Sequence, residues 1–233
     1  MTSRPIVEAN APLKPGVRGE VGPHTVSLDD SLGDLRFRAL LSANDWNSLS
    51  PAIRHRFSRR VAGGNTIVYV GRIIETRLSL IGWLLAQLVR LIGGPLPVAR
   101  DIDVPSVVSV TEDMRAGGQV WTRLYARRRN FPQIVHSSKR FGGPTGLEEH
   151  VGCGVGMALD IAVRDGALLF LSNFYFVDVA GVRLQLPHWL TPGAITVAHR
   201  ECGEGEFTFT LDVVHPRFGE LIHQVGIFRE ARS

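Results

Sequence analysis

"GMALDIAVRDGALLFLSNFYFVDV", residues 156–179, decides the fold. Met157, Leu159, Ile161 and Val163 alternate with Ala158, Asp160, Ala162 and Arg164, the period of two that belongs to a strand. Asp165–Gly166 follows, and this dipeptide suits a two-residue type I′ turn. A turn there sets Val163 opposite Leu168 and Ile161 opposite Phe170, so the apolar faces of the two arms coincide. The stretch reads as a long antiparallel hairpin.

The same pattern extends in both directions. Downstream, "AITVAHREC", "EFTFTLDVV" and "ELIHQVGIF" read as three more strands. Phe207, Phe209, Leu211 and Val213 share one face, and Leu221, His223, Val225 and Ile227 share another. His215–Pro216–Arg217–Phe218–Gly219 joins them as a turn, with Pro216 presetting φ and Gly219 free to take φ > 0. That turn does not require His215, and His223 is placed to point inward. Upstream, "NTIVYVGRIIET", "PSVVSVTED", "GQVWTRLYAR" and, more weakly, "FPQIVHSSKRF" also read as strands. Roughly eight to ten short strands with close turns predict an antiparallel barrel or half-barrel, lipocalin-like in outline.

Helices are expected only near the start. "DLRFRALLSANDW" reads as one short helix capped by Asp34. "SLSPAIRHRFSRRVAGG" starts a second, with Ser50 at the N-cap and Pro51 at N1, and Arg54, Arg56, Arg59 and Arg60 mostly in solvent. "RLSLIGWLLAQLVRLIGGP" is apolar nearly all round, with Leu78, Ile81, Leu85, Leu88 and Ile92 on its inward side. It lacks the charged face of an interfacial membrane helix, so it reads as buried core or as a lid over a barrel end. The fold class is thus α+β, mostly β, with N-terminal helices and one apolar helix covering an end. Residues 1–30 read as a flexible arm and 31–233 as a single domain.

Composition limits the function classes. The 233 residues are 44% hydrophobic and 21% charged, which is globular. The net charge of +4 rests on arginine without a basic stripe, so no nucleic-acid partner is expected. The two cysteines, Cys153 and Cys202, have no zinc spacing, and no histidine falls in a metal motif. No cofactor and no metal are expected. The start lacks a secretory apolar region, and no run reaches the ~18 residues of a membrane span, so no integral membrane contact and a cytoplasmic location are expected.

Several residues could carry chemistry. Trp121, Arg123 and Tyr125 share a strand face; if that face is inside, the guanidinium needs a carboxylate or a bound anion. Glu149 faces away from Glu148 and His150, and could pair with Arg123 or act as a general base if burial raises its pKa. Gly152, Gly154 and Gly156 make G-x-G-x-G before a strand, a glycine-bent segment rather than a dinucleotide motif. Phe174, Tyr175 and Arg183 lie further along, and Pro187–His188–Trp189 breaks the strand and could cover a barrel end.

The series "FRALLSANDWNSLSPAIRHRF", "VWTRLY", "EHVGCGVGMALDIAVRDGALLF", "LPHWLTPG" and "FTFTLDVVHPRFGELIHQVGIF" resembles the bacterial domain of unknown function numbered 4166. The likeness covers about residues 34–229 and implies no activity. It makes Trp121, Arg123, Glu149, Leu186, Pro187, His215, Pro216, Gly219, Gly226 and Phe228 positions of the family pattern. Members fused to dehydrogenase-like modules imply a possible dehydrogenase partner.

The expected function is a pocket for a small apolar or amphipathic molecule, with Trp121, Tyr125, Phe174, Arg183 and His223 contacting the ligand. The alternative is a cofactor-free cyclase, isomerase or lyase of secondary metabolism. There Arg123 or Tyr175 would stabilise oxyanion charge, and Glu149 or His215 would move a proton.

Overall fold

Alternating apolar residues build eleven strands among residues 33–231, the part that the computed structural model describes. They are β1 (Ile67–Leu78), β2 (Val104–Asp113), β3 (Gly118–Tyr125), β4 (Gln133–Phe141), β5 (Leu147–Gly152), β6 (Val155–Arg164), β7 (Ala167–Val179), β8 (Val182–Gln185), β9 (Ala194–Gly203), β10 (Glu206–His215) and β11 (Gly219–Glu230). Four helices accompany them: α1 (Arg36–Ala39), α2 (Ala43–Ser48), α3 (Pro51–Phe57) and α4 (Leu80–Leu88). The expected arm, residues 1–30, lies outside the described residues.

Strands β1 to β6 pair in sequence order, β1 also pairs with β11, and β11, β10, β9 and β7 follow. Pairing of β6 with β7 closes a ten-stranded antiparallel barrel, and β8 hangs on the outer edge of β7. Closure removes the exposed edges that an open sheet would leave. The β6–β7 hairpin has the predicted register, with Val163 opposite Leu168 and Ile161 opposite Phe170. Asp165 and Gly166 both take positive φ, 49° and 72°, as a type I′ turn demands.

Further along this hairpin the register slips. Met157 faces Tyr175 but Leu159 faces Ser172, so three residues of β7 span two of β6. The bulge inverts the inward parity of β7. Phe170 points inward before it and Tyr175 points inward after it.

Antiparallel pairing gives the barrel two unlike ends. At one end lie the turns after β2, β4, β6 and β9, and α1–α3 plug it. Phe37 and Phe57 meet edge-to-face at 5.3 Å. Phe37 also meets Phe141, and Phe57 meets Phe170 and His199. His199 is buried among these rings and uncharged, because burial and then the cations Arg56, Lys139 and Arg123 push its pKa well below the ordinary value.

The helices differ from expectation in detail. Ser42 breaks the first predicted helix in two and caps α2 by accepting from Asp45 N at 3.1 Å. Asp34 is not the N-cap; Leu35 is, and Asp34 accepts from the backbone and side chain of Arg36. Ser50 caps α3 as predicted. Arg56 is not solvated: its guanidinium lies 3.7 Å over the Phe207 ring and pairs with Glu201 at 3.3 Å.

At the other end α4 crosses the barrel mouth and continues as a 3-10 turn over Val89–Ile92. The expected stripe holds in part: Leu78 is buried, and Leu85, Leu88 and Ile92 line the cavity beneath the lid, but Ile81 does not. Gly82 and Ala86 are its buried residues, while Ile81 and Leu88 are exposed. A Cβ on Gly82 would lie 2.0 Å from the Leu221 carbonyl oxygen, so helix and strand touch backbone to backbone. Ser79 N donates to the same carbonyl at 3.0 Å. The far end, Ile92–Gly93, rests against the β5–β6 connection. That connection is a tight turn across Gly152–Gly154, where a bent strand was expected. Among the described residues no helix is long and apolar enough to cross a membrane.

Candidate functional site

Period-two alternation places Trp121, Arg123 and Tyr125 of β3 inside the barrel, all buried. On β4 the inward residues are Val135, Ser137 and Lys139. Cross-strand pairing then aligns Lys139 with Glu149, Glu149 with Met157, and Met157 with Tyr175. A row of inward side chains therefore runs round part of the wall, with the charged pair Lys139–Glu149 at one end.

The charges centre on Glu149. Lys139 Nζ donates to Glu149 Oε2 at 2.8 Å, and Ser137 Oγ donates to Oε1 at 2.5 Å. Arg123 Nη1 in turn donates to Ser137 Oγ at 3.3 Å. Burial acts to raise the Glu149 pKa, but Lys139 and Arg123 outweigh it and hold the carboxyl at about 2. Burial lowers the pKa of Lys139, with Glu149 opposing. The π faces of Trp121 and Phe170 lie 5.5 and 5.1 Å from the ammonium. Arg123 lies similarly over Trp121 and Phe209.

Above this row is a cavity of about 270 Å³. Leu85, Val89 and Ile92 of the lid and Met157, Phe209 and Leu211 of the wall make it apolar. Its polar lining is confined to a few groups, chiefly Arg123, Ser137, Glu149 and the Tyr125 and Tyr175 rings. The Tyr175 hydroxyl donates to the Gly193 carbonyl at 2.7 Å, and burial pushes its pKa up to about 12. Arg123 Nε is buried and has no hydrogen-bond partner among the described residues.

Of the nine residues singled out from sequence, Arg123, Tyr125, Glu149 and Tyr175 line the cavity. Trp121 is inside the barrel but below it, with both cations against its ring. Phe174 lies on the outer side of β7, because the bulge exchanges its face with that of Tyr175. Arg183 is also outside: on β8 it pairs with Glu148 and Asp178 and covers the Phe176 ring at 3.8 Å. His223 does not point inward, since Leu221 and Ile222 are both buried and the strand shifts register there. Its Nδ1 lies 2.5 Å from Asp212 Oδ1 on the outer face. Asp212, Glu220 and His223 could together hold a metal ion, but Arg77 already pairs with Glu220. His215 stays in its turn, where Nδ1 accepts from Arg217 N at 3.1 Å and the ring stacks on Phe218.

Glu149 does not fit the general-base role, which required burial to raise its pKa; the two cations lower it instead. Sequence reasoning missed Lys139 and Ser137. The signal was present, because folding "HSSKRFGGPTGLEEH" about its glycines sets Lys139 against Glu149. No curated protein and no solved structure matches the chain. The family model described as "Domain of unknown function (DUF4166)" matches residues 49–228, most of the barrel and its lid, and the chain belongs to that family.

Proposed function

We propose that the chain binds a small, largely apolar molecule whose anionic or carbonyl end sits against Arg123. The observation that carries this reading is a buried guanidinium, Arg123, on the wall of an otherwise apolar cavity. The local charge agrees. Arg123 and Lys139 are two buried cations, and Glu149 is the one carboxylate hydrogen-bonded between them. A buried charge without a full set of partners costs several kcal/mol, on the order of 3–5. A ligand carboxylate in the cavity would accept from the Arg123 guanidinium and restore neutrality. Ligand pockets are commonly apolar with a few convergent polar groups, as here.

Binding is favoured over the cyclase, isomerase or lyase reading by the state of the acid–base candidates. Glu149 is a strong acid held in an ion pair, Tyr175 is a very weak one committed to Gly193, and His215 and His223 lie outside the cavity. A dehydrogenase partner rests on the fusion habit of the family alone.

The test uses anilinonaphthalene sulfonate, an apolar double ring with one anion, displaced by medium-chain alkanoic acids and by the matching alcohols. The acids should compete better than the alcohols. Arg123→Met should erase that preference and weaken the acids about tenfold or more, the worth of a hydrogen bond to a charged group. Equal competition by acids and alcohols in the unmodified chain sinks the proposal.

A further inference from the structure

The two barrel ends differ in what they expose. Around the α1–α3 plug, Leu35 and Met114 are the exposed large apolar side chains among the described residues. Around the mouth they are many. Leu80, Leu84, Leu88 and Leu91 project from the lid at 54–79% exposure. Trp83 joins them, and Trp189 and Leu190 stand up from the loop after β8, with Trp189 77% exposed. Phe131 and Phe218 tip the β3–β4 and β10–β11 connections.

These segments meet around one opening. Leu88 and Ile92 of the lid, and Leu186 and Leu190 of the opposite loop, line the same cavity. The loop packs by Gly193 on Val214 and His215, and the lid begins on Leu221, so both lie beside the β10–β11 turn. Apolar patches beyond a few hundred Å² mark a binding face.

The charge at this end is mostly positive. The connections at this end, residues 79–103, 126–132, 180–193 and 216–218, contain seven arginines and two acids, Asp101 and Asp103. Arg90, Arg100, Arg128, Arg129 and Arg217 are exposed. Nearby carboxylates Asp101, Asp178 and Glu220 each pair with an arginine, and Asp103 is exposed. The lid alone lacks a charged face, but the loops around it supply a basic rim.

The geometry points to an anionic lipid surface as the occupant: the mouth of the barrel docks on a bilayer, its leucines and two tryptophans in the interface and its arginines among the headgroups. Tryptophan concentrates at that boundary because its ring is apolar and its N–H polar. A protein partner would more often pair such a rim with shape-matched, dry contacts, whereas exposed apolar side chains spread over a helix and three separate loops suit a fluid phase. The contact is with the surface and is not a span. It leaves the cavity opening toward the lipid, and it stands whether or not the ligand reading is right.

Trp46 and Trp121 are buried, so Trp83 and Trp189 are the exposed reporters among the four tryptophans. The full chain is mixed with vesicles of phosphatidylcholine alone or with phosphatidylglycerol added. Sedimentation with the anionic vesicles and a blue shift of emission are expected. Leu91→Glu with Trp189→Glu should cut partitioning about tenfold or more, and Arg128→Gln with Arg129→Gln about fivefold per arginine. All four positions are exposed, so thermal melting should not change. Arg123→Met should leave docking intact, which separates this proposal from the ligand reading. Failure to bind either vesicle overturns it. So does a dimer by light scattering that Leu91→Glu dissociates while vesicles remain unbound, since the face then belongs to a second copy.

Discussion

Glu149→Gln should lower the unfolding free energy by about 3–5 kcal/mol, the usual effect of removing one member of a buried ion pair. The cause is the pair of buried cations left behind, Lys139 and Arg123, rather than the lost hydrogen bond alone. The second substitution Lys139→Met should recover much of the loss, because an apolar chain of similar length can occupy the site beside Trp121 and Phe170. The pH dependence has a definite sign. Folding depresses the Glu149 pKa from 4.5 to about 2. Its contribution is therefore complete above pH 4.5 and disappears as the pH falls towards 2, about 3 kcal/mol in all. Urea titrations between pH 2 and 7 would show this acid limb in the unmodified chain and a shallower one in Glu149→Gln. Identical limbs would mean that the pair is not charged in the folded state.

Gly82→Ala should destabilise the protein by about 1–3 kcal/mol, as overpacking does. Helix propensity predicts the opposite, a gain of about 1 kcal/mol. The sign is decided by the Leu221 carbonyl, only 2.0 Å from where the new Cβ must go. Backbone on both sides leaves no flexible side chain to yield, so α4 must lift off the mouth. Amide exchange should quicken along α4, and binding of anilinonaphthalene sulfonate should weaken because Leu85 and Val89 leave the cavity wall. A stabilised variant would show that the helix rides higher than described. Gly82→Val should exaggerate every effect.

The barrel was legible wherever one side of a strand faces apolar core, because period two then appears directly in the residues. The hairpin around Asp165–Gly166 is the clearest case, and its register follows from the turn. The same rule placed Trp121, Arg123 and Tyr125 on one face, but not which face was inside. Polar residues on an inner wall look like surface, which is why "VHSSKR" concealed Ser137 and Lys139. His223 and Phe174 failed for another reason. Bulges in β10–β11 and β7 change parity without leaving a mark in composition. For α4 the apolar stripe placed Leu85, Leu88 and Ile92 over the cavity, but it gave no sign that close backbone contact would select Gly82 and Ala86 for the most buried positions.

The bulge in β7 also constrains how the pocket can vary among related chains. The strand is effectively written in two frames, one ending near Phe170 and the other beginning near Tyr175. Substitution within either frame changes one side chain and leaves the others facing as before. Losing or gaining a residue at Asn173–Phe174 shifts the frame itself, and would trade the Tyr175 hydroxyl for a phenyl ring from Phe174 or Phe176. Chain length at this one point, more than residue identity, governs whether the wall opposite Arg123 offers a hydroxyl or only hydrocarbon.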